Sequence, residues 1–195
     1  MKTISKIKVL SQDPEIIFYE DLFSADICDN LLVKVQKLRL VKSKTKNTSS
    51  NYRKSQVALL SEDLVSVITK LFERNTSLCL SDYEPIQIQK YSTFDEYKIH
   101  YDAKDIYEEG EGSVNQRVNT MIIYLNDDFS GGQTEFPLKE VSVSPKKGSA
   151  LIFSNCFKDS LALHPLSAHK SCPVESGEKW IMTIWSRNDL IKDLI

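Results

Sequence analysis

Lys98-Ile99-His100-Tyr101-Asp102 is the stretch around which the 195-residue chain is read. In an extended strand residues two apart project to one face, so His100 and Asp102 can approach one ion from one strand end. The same alternation groups Lys98 with them and sends Tyr97, Ile99 and Tyr101 to the other face. Taken alone, His100 is equally a strand histidine satisfied by its neighbours. Outward from this stretch, strand-like runs fall at about 84–91, 97–102, 117–125, 149–153 and 179–186, with fainter ones between. Residues 16–23 form another, running into a turn.

Two helical patterns precede most of these strands. Ser24 is a candidate N-cap with Asp26 in the first turn, and Ile27, Leu31, Leu32, Val35 and Leu38 recur at helical spacing. Ser61 caps a second helix reaching about Arg74, with Leu64, Ile68, Leu71 and Phe72 on one stripe. Two early helices followed by many short strands imply an α+β fold, the helices supporting one face of an antiparallel double-sheet barrel. The length suits one domain over 1–195.

Composition narrows the function classes. A net charge of −2 offers no global electrostatic case for nucleic acid or a membrane surface as partner. No apolar run is long enough to span a bilayer, and the first ten residues lack a signal-peptide core. Cys28, Cys79, Cys156 and Cys172 show no Cys-x-x-Cys pairing and read as reduced thiols of a cytoplasmic protein. Lys34 to Lys54 is basic, with Ser, Thr and Asn at 43–51, and reads as a solvated loop because no aromatic ladder accompanies it. The acidic break at 103–116 is either a lid beside the site or a solvated insertion. The tail 188–195 is either a short docking helix or a frayed end.

A third ligand would complete a two-histidine, one-carboxylate triad, a donor set that suits non-haem Fe(II) and leaves coordination positions open. Of the two remaining histidines, His164 precedes Pro165, which usually marks a turn, and His169 lies ten residues before Lys179. On the strand from Lys179 to Trp185, alternation puts Lys179, Ile181, Thr183 and Trp185 on one face. If that face lines the barrel, the Lys179 ammonium needs an anionic partner to justify its desolvation. Otherwise it is a surface lysine beside a core tryptophan.

Several linked motifs carry a family resemblance. They are Glu84 to Tyr91, Tyr97 to Asp102, Gln116 to Asn126, Gly131 to Pro137, Pro145 to Phe153, His169 to Val174 and Gly177 to Trp180. In this order and spacing, over roughly 16–187, the chain resembles the catalytic domain of the prolyl 4-hydroxylases within the 2-oxoglutarate/Fe(II) dioxygenases. The resemblance implies a double-stranded β-helix, or jelly roll, with N-terminal supporting helices. It implies His100, Asp102 and His169 as iron ligands, and Lys179 as the partner of the distal carboxylate of 2-oxoglutarate. Tyr91 and Thr134 match positions that hydrogen-bond this cosubstrate. Arg53, Tyr97, Arg117 and Trp185 match positions that contact peptide, although alternation turns Tyr97 away unless the strand bulges between 97 and 100. Trp185 is either a groove indole that packs on a proline ring or barrel core. His164 stands where the family often has an aspartate, and Phe94 where it has a glycine.

The implied reaction hydroxylates peptidyl proline with O2 and 2-oxoglutarate, releasing succinate and CO2, with Fe(II) and ascorbate as cofactors. Animal collagen hydroxylases are secretory, so the N-terminal sequence suggests a microbial or viral intracellular relative. Two rivals stay open. One is an oxygenase of the same class acting on a free amino acid, another side chain or a nucleobase. The other is a non-catalytic jelly-roll peptide-binding module.

Overall fold

The computed structural model describes residues 6–43, 52–76, 78–104 and 116–187. Strands β1 (Ile7–Gln12) and β2 (Glu15–Tyr19) form a hairpin, followed by α1 (Ala25–Val35), β3 (Val41–Lys42), β4 (Gln56–Leu59) and α2 (Glu62–Thr76). Then come β5 (Gln87–Tyr91), β6 (Tyr97–His100), β7 (Asn119–Tyr124), β8 (Ser130–Gly131), β9 (Thr134–Phe136) and β10 (Val141–Val143). The chain closes with β11 (Ala150–Ser154), β12 (His169–Ser171), β13 (Val174–Ser176) and β14 (Lys179–Ser186). The large sheet has the order β1-β2-β11-β7-β14-β5-β4-β3 and the smaller one β10-β9-β12-β6, with β13 paired to β8. Among the described residues every strand pairing is antiparallel. This is the expected α+β double-stranded β-helix with supporting helices.

Period-two alternation sorts the central strands into two cores. Met121 and Ile123 of β7, Ile152 of β11 and Met182 and Ile184 of β14 join Leu31, Val35, Ile68 and Phe72 of the helices. Their neighbours Ile122, Tyr124, Leu151, Phe153 and Ile181 turn the other way and meet Phe136 of the smaller sheet. A strand buried on both faces reads as a nearly continuous apolar run, as β7, β11 and β14 do. The first helix starts where its cap predicts, with the Ser24 hydroxyl accepting from the Ile27 amide at 3.4 Å.

Two local expectations change, at the basic stretch and at the strand over 97–102. The basic stretch from Lys34 contains the end of α1 and the short β3, which pairs with β4. Its Ser/Thr/Asn cluster at 44–51, the acidic segment 105–115 and the tail 188–195 lie outside the described residues. The strand over 97–102 stops at His100, leaving Asp102 in a bend beyond it. The turn at Phe94 forms despite the missing glycine, with φ at +68°. Its amide donates to the Val174 carbonyl at 2.7 Å and the Asp95 carboxylate accepts from the Ser92 amide at 2.8 Å. Left-handed backbone costs a non-glycine residue about 1–2 kcal/mol, which these bonds offset. Among the described residues no helix is long and apolar enough to cross a membrane.

Candidate active site

His100 and His169 meet because β6 and β12 are antiparallel neighbours with these two residues directly paired. Their ring centroids lie 4.2 Å apart. Asp102, just past the end of β6, completes the group, with its Oδ1 3.7 Å from His100 Nε2 and its Oδ2 3.5 Å from His169 Nε2. One donor atom from each of the three lies within 4.8 Å of the others. Each imidazole is held by its other nitrogen: His100 Nδ1 bonds the Lys98 carbonyl at 2.7 Å and His169 Nδ1 the Ser167 carbonyl at 3.0 Å. A carbonyl only accepts, so Nδ1 carries the proton in both rings and Nε2 presents a lone pair.

The electrostatics favour a neutral His100 ring and an ionised acid. Burial, reinforced by the neighbouring His169, pushes His100 down to about 3. At Asp102 burial opposes ionisation, but His169, His100, Arg117 and the Thr120 hydroxyl together hold the carboxyl well below its usual range. Two imidazoles and one carboxylate form the donor set expected of a non-haem Fe(II) site, with room for further ligands.

The pocket beside these donors runs to Lys179, which is fully buried. Its ammonium donates to the Gly132 carbonyl at 2.6 Å and the Ser171 hydroxyl at 3.0 Å, and lies over the Tyr91 and Tyr124 rings. Gly132 has φ at +68°, a conformation glycine adopts without strain. Among the described residues no carboxylate pairs with Lys179, and burial pushes it down to about 7. Tyr91 donates to Gln89, which donates to Thr183, at 2.9 and 3.0 Å. Thr134 bonds Tyr124 at 2.8 Å. Apolar Ile122 and Ile181 complete the walls.

The expected peptide-side residues divide. Tyr97 turns toward the site, its ring stacked on His100 at 3.4 Å between centroids and 16° between planes. The cause is a register shift: Ser171 and His169, two apart on β12, pair with Tyr97 and His100, three apart on β6. The extra residue reverses the alternation. Arg53 lies 4.8 Å over the Tyr97 ring and lines the pocket, and its Nη2 is buried with no hydrogen-bond partner among the described residues. Trp185 also lines the pocket, buried rather than exposed, with its indole N–H likewise unpartnered. Arg117 is engaged elsewhere, donating twice to the Glu84 carboxylate at 2.8 and 2.7 Å while covering Trp185 at 3.9 Å.

His164 caps the 3-10 turn Pro165–Ser167, its Nδ1 accepting from the Leu166 amide and its Nε2 bonded to Asp13 at 2.9 Å. Sequence reading passed over Gln89, Thr120, Asn155 and Ser171. For Gln89 a signal existed, since it shares a face with Tyr91 two residues along β5.

Comparison with known proteins points the same way. The family model for the 2OG-Fe(II) oxygenase superfamily matches residues 86–187. Prolyl 4-hydroxylase 1 of Arabidopsis thaliana is 34% identical over 206 residues, covering 93% of this chain and 72% of its own. A relative from Acanthamoeba polyphaga mimivirus is 34% identical over 150 residues; the match covers 72% of this chain and 60% of that relative's length. Among solved structures, the viral collagen prolyl hydroxylase of Paramecium Bursaria Chlorella virus-1, in its 2OG complex, aligns with a TM-score of 0.68 and 26% identity. That alignment covers 87% of this chain and 94% of the viral one.

Proposed function

Because this chain belongs to the 2OG-Fe(II) oxygenase superfamily and, within it, to the prolyl 4-hydroxylase family, we propose that it hydroxylates peptidyl proline at C4. One O2 and one 2-oxoglutarate are consumed for each hydroxyl introduced, and succinate and CO2 leave. The observation that carries this reading is the pairing of two features in one pocket: three convergent candidate metal donors and a buried ammonium with no carboxylate partner among the described residues.

His100, Asp102 and His169 would hold Fe(II), with Nε2 of each ring and a carboxylate oxygen as donors. When bound, the iron supplies the oxidising chemistry that couples O2 reduction and decarboxylation of the keto acid to C–H hydroxylation. Lys179 would grip the distal carboxylate of 2-oxoglutarate, so that the cosubstrate supplies the counter-charge which burial demands. Tyr91 and Thr134 stand beside it as hydrogen-bonding partners. Ile122 and Ile181 keep the space around the reacting carbons apolar and dry. On the peptide side, the unpartnered Arg53 Nη2 and Trp185 N–H are donors suited to peptide carbonyls, and the Tyr97 ring is suited to packing on a proline ring. Arg117, held by Glu84, would shape this wall by fixing Trp185.

Ascorbate is included as the external reductant. A cytoplasmic location belongs to the same proposal and is supported by four free cysteines, as in a reducing compartment. Succinate release from 2-oxoglutarate tests the whole, measured with Fe(II), with and without proline-rich peptides, alongside mass spectrometry for a product about 16 Da heavier, one oxygen atom, on proline. Peptide-dependent succinate with hydroxyproline is the expected result. Turnover only with a free amino acid or a nucleobase would replace the substrate class, and peptide binding without turnover would leave a binding module.

A further inference from the structure

Asp102 is one end of a short relay. The Thr120 hydroxyl on β7 donates to Asp102 Oδ2 at 2.7 Å, and the Asn155 amide nitrogen donates to Thr120 Oγ1 at 2.8 Å. The directions are forced. A carboxylate only accepts, so the single hydroxyl proton of Thr120 goes to Asp102, and Thr120 can only accept from Asn155. Both Thr120 and Asn155 are buried, Asn155 completely.

Asn155 also reaches a second ligand through its main chain. Its amide donates to the Val118 carbonyl at 2.8 Å, and its carbonyl accepts from the His164 amide at 2.9 Å, while the Ser167 hydroxyl of the same turn donates to the His164 carbonyl at 2.7 Å. That turn ends in the Ser167 carbonyl, which holds His169 Nδ1. One residue just past β11 therefore backs the acid through Thr120 and one imidazole through the turn.

We propose that Thr120 and Asn155 are positioning residues for the metal, presenting Asp102 through one oxygen, Oδ1, while Oδ2 stays bonded to the protein. This rests on the Fe(II) reading above and adds to it. A carboxylate free to rotate can ligate through both oxygens and fill a coordination position that cosubstrate or O2 requires. A carboxylate tethered at Oδ2 cannot do so without losing a charge-assisted hydrogen bond.

The test is Co(II) titration of the metal-free protein, followed by visible absorption and calorimetry, without turnover. Circular dichroism first confirms that each variant is folded. Thr120→Val keeps the shape and removes the hydroxyl; it is expected to bind Co(II) about 10–100-fold more weakly than the parent. Thr120→Ser keeps the hydroxyl and should bind within about threefold of the parent, a rescue that loss of general packing would not show. Asn155→Ala should weaken binding alone and add nothing in the Thr120→Val background, because both act through one bond. If Thr120→Val does not fold, Asn155→Ala against the parent carries the comparison.

Equal Co(II) affinity in the parent and the hydroxyl-free variant overturns the proposal, and so does a fully additive double variant. A parent protein that takes up no Co(II) overturns this inference and the Fe(II) reading together. A parent that shows the expected metal series but never hydroxylates peptide leaves the positioning role standing and removes only the substrate assignment.

Discussion

The two faces of the large sheet are made by the same strands and serve different ends. Along β14, Trp180, Met182 and Ile184 enter the core under the helices, while Lys179, Ile181, Thr183 and Trp185 line the pocket. Along β7, Met121 and Ile123 face the helices, while Thr120 and Ile122 line the pocket. The helix side buries methyl and methylene groups against one another, and its contribution is cohesion. The barrel side buries an ammonium, a carboxylate, two imidazoles and several hydroxyls, each costly to desolvate without a partner. The difference teaches that this sheet separates stability from chemistry at a spacing of one residue.

Substitutions on adjacent residues should break that separation if it is wrong. The largest effect is expected from Asp102→Ala, which should abolish peptide-dependent succinate release and metal uptake while the circular dichroism spectrum stays that of the parent. Next is Lys179→Met, which exchanges a buried cation for an apolar chain of similar reach. The KM for 2-oxoglutarate should rise on the order of 100-fold, and the metal-free protein should be at least as stable as the parent.

On the opposite face of the same strand, Met182→Ala should lower unfolding free energy by about 2–5 kcal/mol in denaturant titration. Its KM for 2-oxoglutarate should stay that of the parent at temperatures where the variant is folded. An altered KM there would show that the faces are mechanically coupled.

The pH dependence sharpens the comparison further. Burial pushes Lys179 down to about 7, against about 10.4 for an unfolded lysine. Between these values the unfolded chain binds the extra proton, so this group makes the metal-free and ligand-free protein more stable as pH rises from 7 toward 10, by a few kcal/mol at most. The difference between parent and Lys179→Met stability should therefore narrow across that window. A constant difference would mean that Lys179 is already paired or solvated. The smallest effect is expected far from both cores, at Phe94, where Phe94→Gly relieves the positive φ and should stabilise by up to about 1 kcal/mol.

Much of this was legible before folding was considered. The stripes of α1 and α2, the Ser24 cap and the grouping of Lys179, Ile181, Thr183 and Trp185 on one face of β14 follow from spacing alone, because local periodicity dictates which side chains share a face. Tyr97 was not legible. Its direction depends on an extra residue opposite β12, and bulges arise from pairing between segments about seventy residues apart. The occupation of Arg117 by Glu84, and the relay from Asn155 through Thr120, were equally hidden. A threonine in a strand or an asparagine after one is unremarkable until its partner is known.

The amino-acid sequence by itself determined which groups are chemically able to act: imidazoles and a carboxylate as donors, one lysine on an apolar strand, and an alternation that sets which residues share its face. The tertiary structure alone decided how those groups meet, through the His169 to His100 register, the bulge that swings Tyr97 onto His100 and the hydroxyl that fixes one oxygen of Asp102. The reason is range. Side-chain identity and period-two geometry are properties of a few neighbouring residues, whereas register is chosen only when distant strands pair and bury their faces together.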